Sequence, residues 1–295
     1  MHPTIPGFTY RRVPVADDVT LNVAVGGSGT PVVLLHGFPQ THLMWRHVAA
    51  ELASHHTVIC PDLRGYGASD KPAEDAQADG VTYAKRTMAA DTVALARALG
   101  HDRFALAGHD RGALVAIRAA LDHPDVITHL ASLDVLPTLD TWDVMHGTTA
   151  AVGFHLYLMA QPPGLPEQMI AASADAFFGH FLDIWTRDPQ AIPAAIRAEY
   201  LAASRAAVPS IVADYRASAG VDVAHDQADR DAGNQLRMPV SVLQQDWGTA
   251  LGFDAAARWR AWAPDLKHAT VSCGHFMAEE APGEVVRAVR ELIAR

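Results

Sequence analysis

The chain has 295 residues, 49% of them apolar and 19% charged. That balance supplies a sizeable core and excludes wholesale disorder. The formal net charge is −10 with no run of Lys and Arg, which argues against a nucleic-acid surface, and no window approaches the roughly 18 apolar residues of a membrane span.

Such a length allows one large domain or two smaller ones. Residues Tyr10–Val15 and Thr20–Val25 are predicted as strands joined across Asp17-Asp18. Gly26-Gly27-Ser28-Gly29 reads as a hairpin turn into the apolar run Pro31–Leu35. A phosphate loop is excluded there, because its glycines must follow a strand and open a helix with Gly-Lys-Ser/Thr. Thr57–Cys60 is the next buried strand. Met88, Leu95 and Leu99 mark one face of a helix over Tyr83–Leu99, with Gly100 as its stop. Phe104–Ala107 is a strand, Leu114–Leu121 the helix after it, and Leu130–Leu133 another strand.

After Pro137 the pattern changes. Residues 138–235 carry helical stretches and no convincing buried strand, and strand character resumes at Val240–Leu243 and Ala269–Ser272. Val285, Val286, Val289, Leu292 and Ile293 have helical spacing behind Pro282. The expected fold is therefore α/β: a core over 1–137 and 236–295 around a mostly parallel sheet, interrupted by a helical cap over 138–235. The cap is expected over the C-terminal edge of the sheet, where open α/β sheets bind ligands.

Gly108-His109-Asp110-Arg111-Gly112 lies between a predicted strand and a predicted helix. That is the layout of a nucleophile elbow, with Asp110 at the centre where Ser is usual. His36-Gly37-Phe38-Pro39 follows the Pro31–Leu35 strand, where a backbone N–H would serve an oxyanion hole. Phe38 and Arg111 are the two expected donors. Gly274-His275-Phe276 follows the last predicted strand and places His275 where a triad in this chain order needs its base. Either Asp134 or Asp246, each after a strand, could orient that ring. Plainer readings exist for each motif: a helix-capping Asp, an ordinary strand-to-helix turn, a solvated loop acid. Position in the strand order favours the catalytic ones. Neither His-Glu-x-x-His nor Cys-x-x-Cys occurs, so no metal site is expected, and an Asp nucleophile with a His-activated water would require no organic cofactor.

Two cysteines, Cys60 and Cys273, make no disulfide framework and read as reduced buried thiols. Met1–Tyr10 lacks the basic and apolar segments of a signal peptide, so a cytoplasmic location is expected.

Together these motifs resemble the α/β-hydrolase superfamily, and within it the Asp-nucleophile branch of haloacetate (fluoroacetate) dehalogenases and epoxide hydrolases. Asp62-Leu63-Arg64-Gly65-Tyr66-Gly67, Leu121-Asp122-His123-Pro124 and Asp214-Tyr215-Arg216-Ala217 extend the resemblance over nearly the whole chain. Asp-Arg at the elbow points to the haloacetate group, since the other members usually have Trp after the nucleophile. The resemblance implies that Asp110 attacks, His275 activates water, Asp134 orients His275 and Arg111 pairs with a substrate carboxylate. It implies a leaving-group pocket of His155, Tyr215 and Trp185. It also implies a homodimer through the cap, with a small molecule as substrate. Two departures stand out: Leu114 where the family has a second carboxylate-binding Arg, and Leu156 where it has a Trp against the halide. Fluoride depends most on such donors, so a bias to chloride or bromide, or to a larger and less polar substrate, is expected. An epoxide hydrolase is the nearest rival. It would need Tyr215 and a second phenol, for which Tyr157 is the neighbouring residue. A non-catalytic receptor on the same scaffold would have no need of both Asp110 and His275.

Overall fold

The computed structural model describes residues 3–74, 80–246 and 251–295. Its frame is an eight-stranded sheet: β1 (Thr9–Ala16), β2 (Val19–Gly26), β3 (Thr30–Leu35), β4 (His56–Pro61), β5 (Phe104–His109), β6 (Ile127–Leu133), β7 (Val240–Gln244) and β8 (Leu266–Thr270). The spatial order is β1-β2-β4-β3-β5-β6-β7-β8. β2 runs antiparallel to both its neighbours, and every pairing from β4 to β8 is parallel.

Central strands covered on both faces should be apolar throughout rather than alternating. β3 meets that demand. Val33 and Leu35 enter one apolar cluster, while Val32 and Leu34 enter the other. The same demand corrects the reading of Gly26–Gly29 as a hairpin turn. β4 lies between β2 and β3, so these glycines carry the chain past β4. The wholly apolar β3 takes an interior place, and β2, with its alternating burial, stays toward the edge.

Two further sequence expectations shift. The last strand is Leu266–Thr270, earlier than Ala269–Ser272. It is a half-exposed edge strand containing Lys267 and His268, so its apolar signal is weak, and Val271 and Cys273 lie in the loop beyond it. Helices over Arg46–Leu52 and Ala255–Trp262 were not expected.

Between β6 and β7 the described residues form helices only, including Phe154–Met159, Ala174–Ile184, Ala194–Ala206 and Val208–Ala219. This layer is bolted to the core by a buried carboxylate. Glu279 accepts hydrogen bonds from Gln40, Arg46 and the Tyr200 hydroxyl of the helical layer. Arg46 also donates to the Ala191 carbonyl at 2.9 Å. Burial pushes the Glu279 carboxyl up to about 7 against the pull of Arg46. Among the described residues no helix is long and apolar enough to cross a membrane.

Candidate active site

The C-terminal ends of β5, β6 and β7 converge on one cavity of about 290 Å³. Asp110 stands at the tip of β5, immediately before the helix Arg111–Asp122. Its φ of 50° and ψ of −120° are a strained conformation for a residue with a Cβ, as an elbow requires. The surrounding glycines make the turn feasible. A Cβ on Gly112 would stand 2.3 Å from the His36 carbonyl, and one on Gly37 would stand 2.5 Å from the Asp110 Cβ. The two loops can press together only without those atoms.

That contact brings the Phe38 N–H to 2.8 Å from Asp110 Oδ1. The other predicted donor, the Arg111 N–H, opens the elbow helix, where an amide has no acceptor within its own helix. Asp110 Oδ2 lies 3.7 Å from His275 Nε2, beyond hydrogen-bonding distance. His275 Nε2 is buried and has no hydrogen-bond partner among the described residues.

On its other side the His275 ring meets Asp134: Nδ1 is 2.7 Å from Asp134 Oδ2. Asp134 also accepts from the Gln245 backbone N–H at 2.9 Å and from its side-chain amide at 2.8 Å. Asp246, the other acid considered, is exposed beyond β7. The geometry thus brings Asp134 to His275 and leaves Asp246 outside the cavity. Burial opposes a charge on His275, but the hydrogen bond and charge of Asp134, together with Asp110, hold its pKa above the ordinary value. His109 supports the same loop, with Nε2 at 2.8 Å from the His275 carbonyl oxygen.

Arg111 is held in a way its sequence position did not reveal. Its Nε donates to Asp214 Oδ2 at 2.8 Å, and its Nη2 donates to the Asp214 carbonyl at 2.9 Å and to Ser218 Oγ at 3.0 Å. Asp214 is fully buried and also pairs with Lys85 and accepts from Tyr66. Burial would raise the Asp214 carboxyl, but Arg111 and Lys85 outweigh it and hold it well below the usual carboxylate range. The edge of Arg111 formed by Nε and Nη2 is therefore committed within the protein. Among the described residues Nη1 makes no hydrogen bond.

His155, Tyr215 and Trp185 line the same cavity. The His155 ring lies 5.2 Å from Trp185 and 5.5 Å from Tyr215, centroid to centroid. Burial, with Arg111 nearby, pushes His155 down to about 3, so the ring is neutral. The Tyr215 hydroxyl and His155 Nδ1 are buried without hydrogen-bond partners among the described residues. Burial and the Asp110 charge raise the Tyr215 phenol well above its usual value, which keeps it a donor. Tyr157 is turned away: it does not line the cavity, and its hydroxyl donates to the Met145 carbonyl. The apolar part of the wall includes Leu114 and Leu156. A larger hollow of about 860 Å³, lined by Lys71, Tyr83 and Arg216 among others, contains none of the groups just described. Among the described residues no cluster of His, Cys, Asp and Glu could hold a metal ion. Cys60 is buried and Cys273 partly so, and both are free thiols.

Sequence reasoning missed Gln245 and Asp214 as parts of the site. Gln245 had one available signal, its place directly after β7. Asp214 stands in the Asp214–Ala217 motif of the resemblance, but the sequence assigns it no role.

A sheet of this order, an acidic elbow and a late histidine held by a carboxylate define an α/β hydrolase. The chain belongs to that family: the alpha/beta hydrolase fold profile matches residues 30–282. It is 38% identical to the fluoroacetate dehalogenase of a Burkholderia species, over 98% of this chain and 94% of that one. It is 32% identical to the soluble epoxide hydrolase of a Corynebacterium species, over 90% and 91% of the two chains. Among solved structures it is similar to a protein of a Nostoc species named as a putative alpha/beta hydrolase, with a TM-score of 0.94 and 36% identity over 99% of this chain and 100% of the other.

Proposed function

We propose that this α/β hydrolase is a dehalogenase of small 2-halocarboxylic acids that works through an ester on Asp110. The observation that carries the reading is the split environment of that carboxylate. Oδ1 rests on the Phe38 N–H, while Oδ2 lies 3.7 Å from His275 Nε2, which has no hydrogen-bond partner among the described residues. The second oxygen is thus free to attack.

In the first step Asp110 Oδ2 attacks the carbon bearing the halogen. The carbon–halogen bond breaks, and its electron pair leaves with the halide. Tyr215 and neutral His155 donate to the departing anion, with Trp185 closing the pocket. Arg111 Nη1 holds the carboxylate end. In the second step His275 Nε2 takes a proton from water, and the hydroxide attacks Asp110 Cγ. The N–H groups of Phe38 and Arg111 stabilise the resulting oxyanion. Collapse releases the 2-hydroxy acid and restores the carboxylate, and His275 returns its proton, for a net release of one halide and one proton. Fluoride relies most on donors around the halogen, so chloroacetate and bromoacetate should release halide faster than fluoroacetate.

The test is His275→Asn incubated with chloroacetate and weighed by intact-protein mass spectrometry. A stable adduct on Asp110, matching the acid less chloride, is expected. Unmodified protein, given wild-type turnover of the same acid, would overturn the reading. An epoxide hydrolase using the same nucleophile is favoured by one observation, the unpartnered Tyr215 hydroxyl that could protonate an opening ring. The orientation of Tyr157 argues against it, because the second phenol is engaged elsewhere. Diol formation from styrene oxide without halide release from chloroacetate would reverse the preference.

The same scheme predicts a pH dependence. Only neutral His275 can take a proton from water, and its pKa is raised in the free enzyme partly by the Asp110 charge. Ester formation removes that charge, so the pKa should fall in the intermediate. Single-turnover ester hydrolysis should therefore rise with pH through an inflection lower than the His275 pKa measured by NMR in the free enzyme. An inflection at or above that value would contradict the scheme.

A further inference from the structure

Beyond a haloacetate, the cavity has room that its polar groups do not use. A cavity of roughly 150 Å³ with an aliphatic lining is enough to take up benzene. The volume here, about 290 Å³, is nearly twice that. A two-carbon acid held between Asp110 and Arg111 would leave most of it unfilled.

The unused wall is apolar. Leu114, Leu136, Met145, Val152 and Leu156 all line it. Leu114 sits one helical turn after the nucleophile, its N–H bonded to the Asp110 carbonyl at 3.2 Å, and lines the same cavity as Asp110. Leu114, Leu136, Met145 and Leu156 belong to one continuous hydrophobic cluster.

The polar hold on a carboxylate is correspondingly thin. Arg111 has committed Nε and Nη2 to Asp214 and Ser218, and among the described residues only Nη1 is left without a hydrogen bond. Among the described lining residues there is no lysine and no second arginine. A single charge-assisted contact gives less than the two-point pairing a guanidinium can make. The remaining selectivity must come from apolar burial.

We infer that the preferred substrates carry an apolar branch of about three to five carbons on the halogen-bearing carbon, seated against Leu114 and Leu156. This rests on the dehalogenase reading. Each methylene moved from water into such a wall contributes about a fourfold gain in kcat/KM.

The test is halide release by the wild-type enzyme from 2-bromopropionate, 2-bromobutyrate and 2-bromohexanoate. All three are secondary bromides, so intrinsic reactivity toward a carboxylate is nearly constant along the series. Expected is a rise in kcat/KM of at least tenfold from propionate to hexanoate. Leu114→Gln and, separately, Leu156→Gln should each cut the hexanoate-to-propionate ratio at least threefold. Halide release from bromoacetate and 2-bromopropionate with a flat or falling series would overturn this inference and leave the dehalogenase reading standing. So would a rising series whose ratio is unchanged in both variants. No halide from any of these acids would sink both.

Discussion

Asp134→Asn is expected to lower kcat by about four orders of magnitude, the size of effect seen when a triad acid is replaced by its amide in a serine protease. The reason is the direction of the hydrogen bonds. Among the described residues Asp134 accepts from the Gln245 N–H, the Gln245 side-chain amide and His275 Nδ1–H. An amide in its place exchanges one acceptor oxygen for an NH2 group that can only donate. If its NH2 faces the ring, His275 must carry its proton on Nε2, the atom that has to take one from water. The first step does not use His275 as a base, so the variant should still release one equivalent of halide per active site and then stop. Rapid-quench measurement of halide, followed by the protein mass, checks both halves. Asp246→Asn, at an exposed position, should leave kcat within about twofold of wild type. Equal losses in the two variants would contradict the assignment of Asp134.

Much of this arrangement is legible in the sequence because it is local. An elbow needs glycines beside one chemically useful residue, and Gly108, Asp110 and Gly112 stand together in five positions. A strand covered on both faces is a run of apolar residues, and Pro31–Leu35 and Phe104–Ala107 announce themselves. His275 is found by its place after the last strand, even though that strand ends two residues earlier than the apolar residues suggest. What the sequence conceals is partnership across distance. Gln245 and Asp134 are joined only because β6 and β7 are neighbours in the sheet, with Leu133 paired to Leu243. Arg111 looks like a free guanidinium until the helix Val208–Ala219 places Asp214 against it. The Gly26–Gly29 misreading has the same origin. A turn is a local property, but which strand lies beside β3 is settled by burial across the whole sheet.

Asp214→Ala should be the most damaging single substitution for stability among the residues discussed, costing about 3–5 kcal/mol. Asp214 is the common anion for two buried cations. Arg111 pairs with its Oδ2 at 2.8 Å, and Lys85 pairs with Oδ1. Their side chains are 2% and 1% exposed, so water cannot replace what is lost. Asp222 lies 3.7 Å from Lys85 and offers that cation partial compensation. Arg111 has no second carboxylate within ion-pairing distance among the described residues, so the larger penalty falls on the residue beside the nucleophile. Asp214→Asn should cost less, because its side-chain carbonyl can still accept from Arg111 Nε, although the charge is gone. Urea titration gives the stabilities, and the order wild type, then Asn, then Ala is the expected result. The functional consequence is separable from the loss of stability. With Asp214 amidated, the Nε and Nη2 edge of Arg111 is held less tightly, so KM for a carboxylate substrate should change more than the rate of ester hydrolysis, a step that uses only the Arg111 backbone N–H. If kcat for ester hydrolysis falls in parallel with kcat/KM in folded Asp214→Asn, Asp214 acts on the elbow itself and not through the guanidinium.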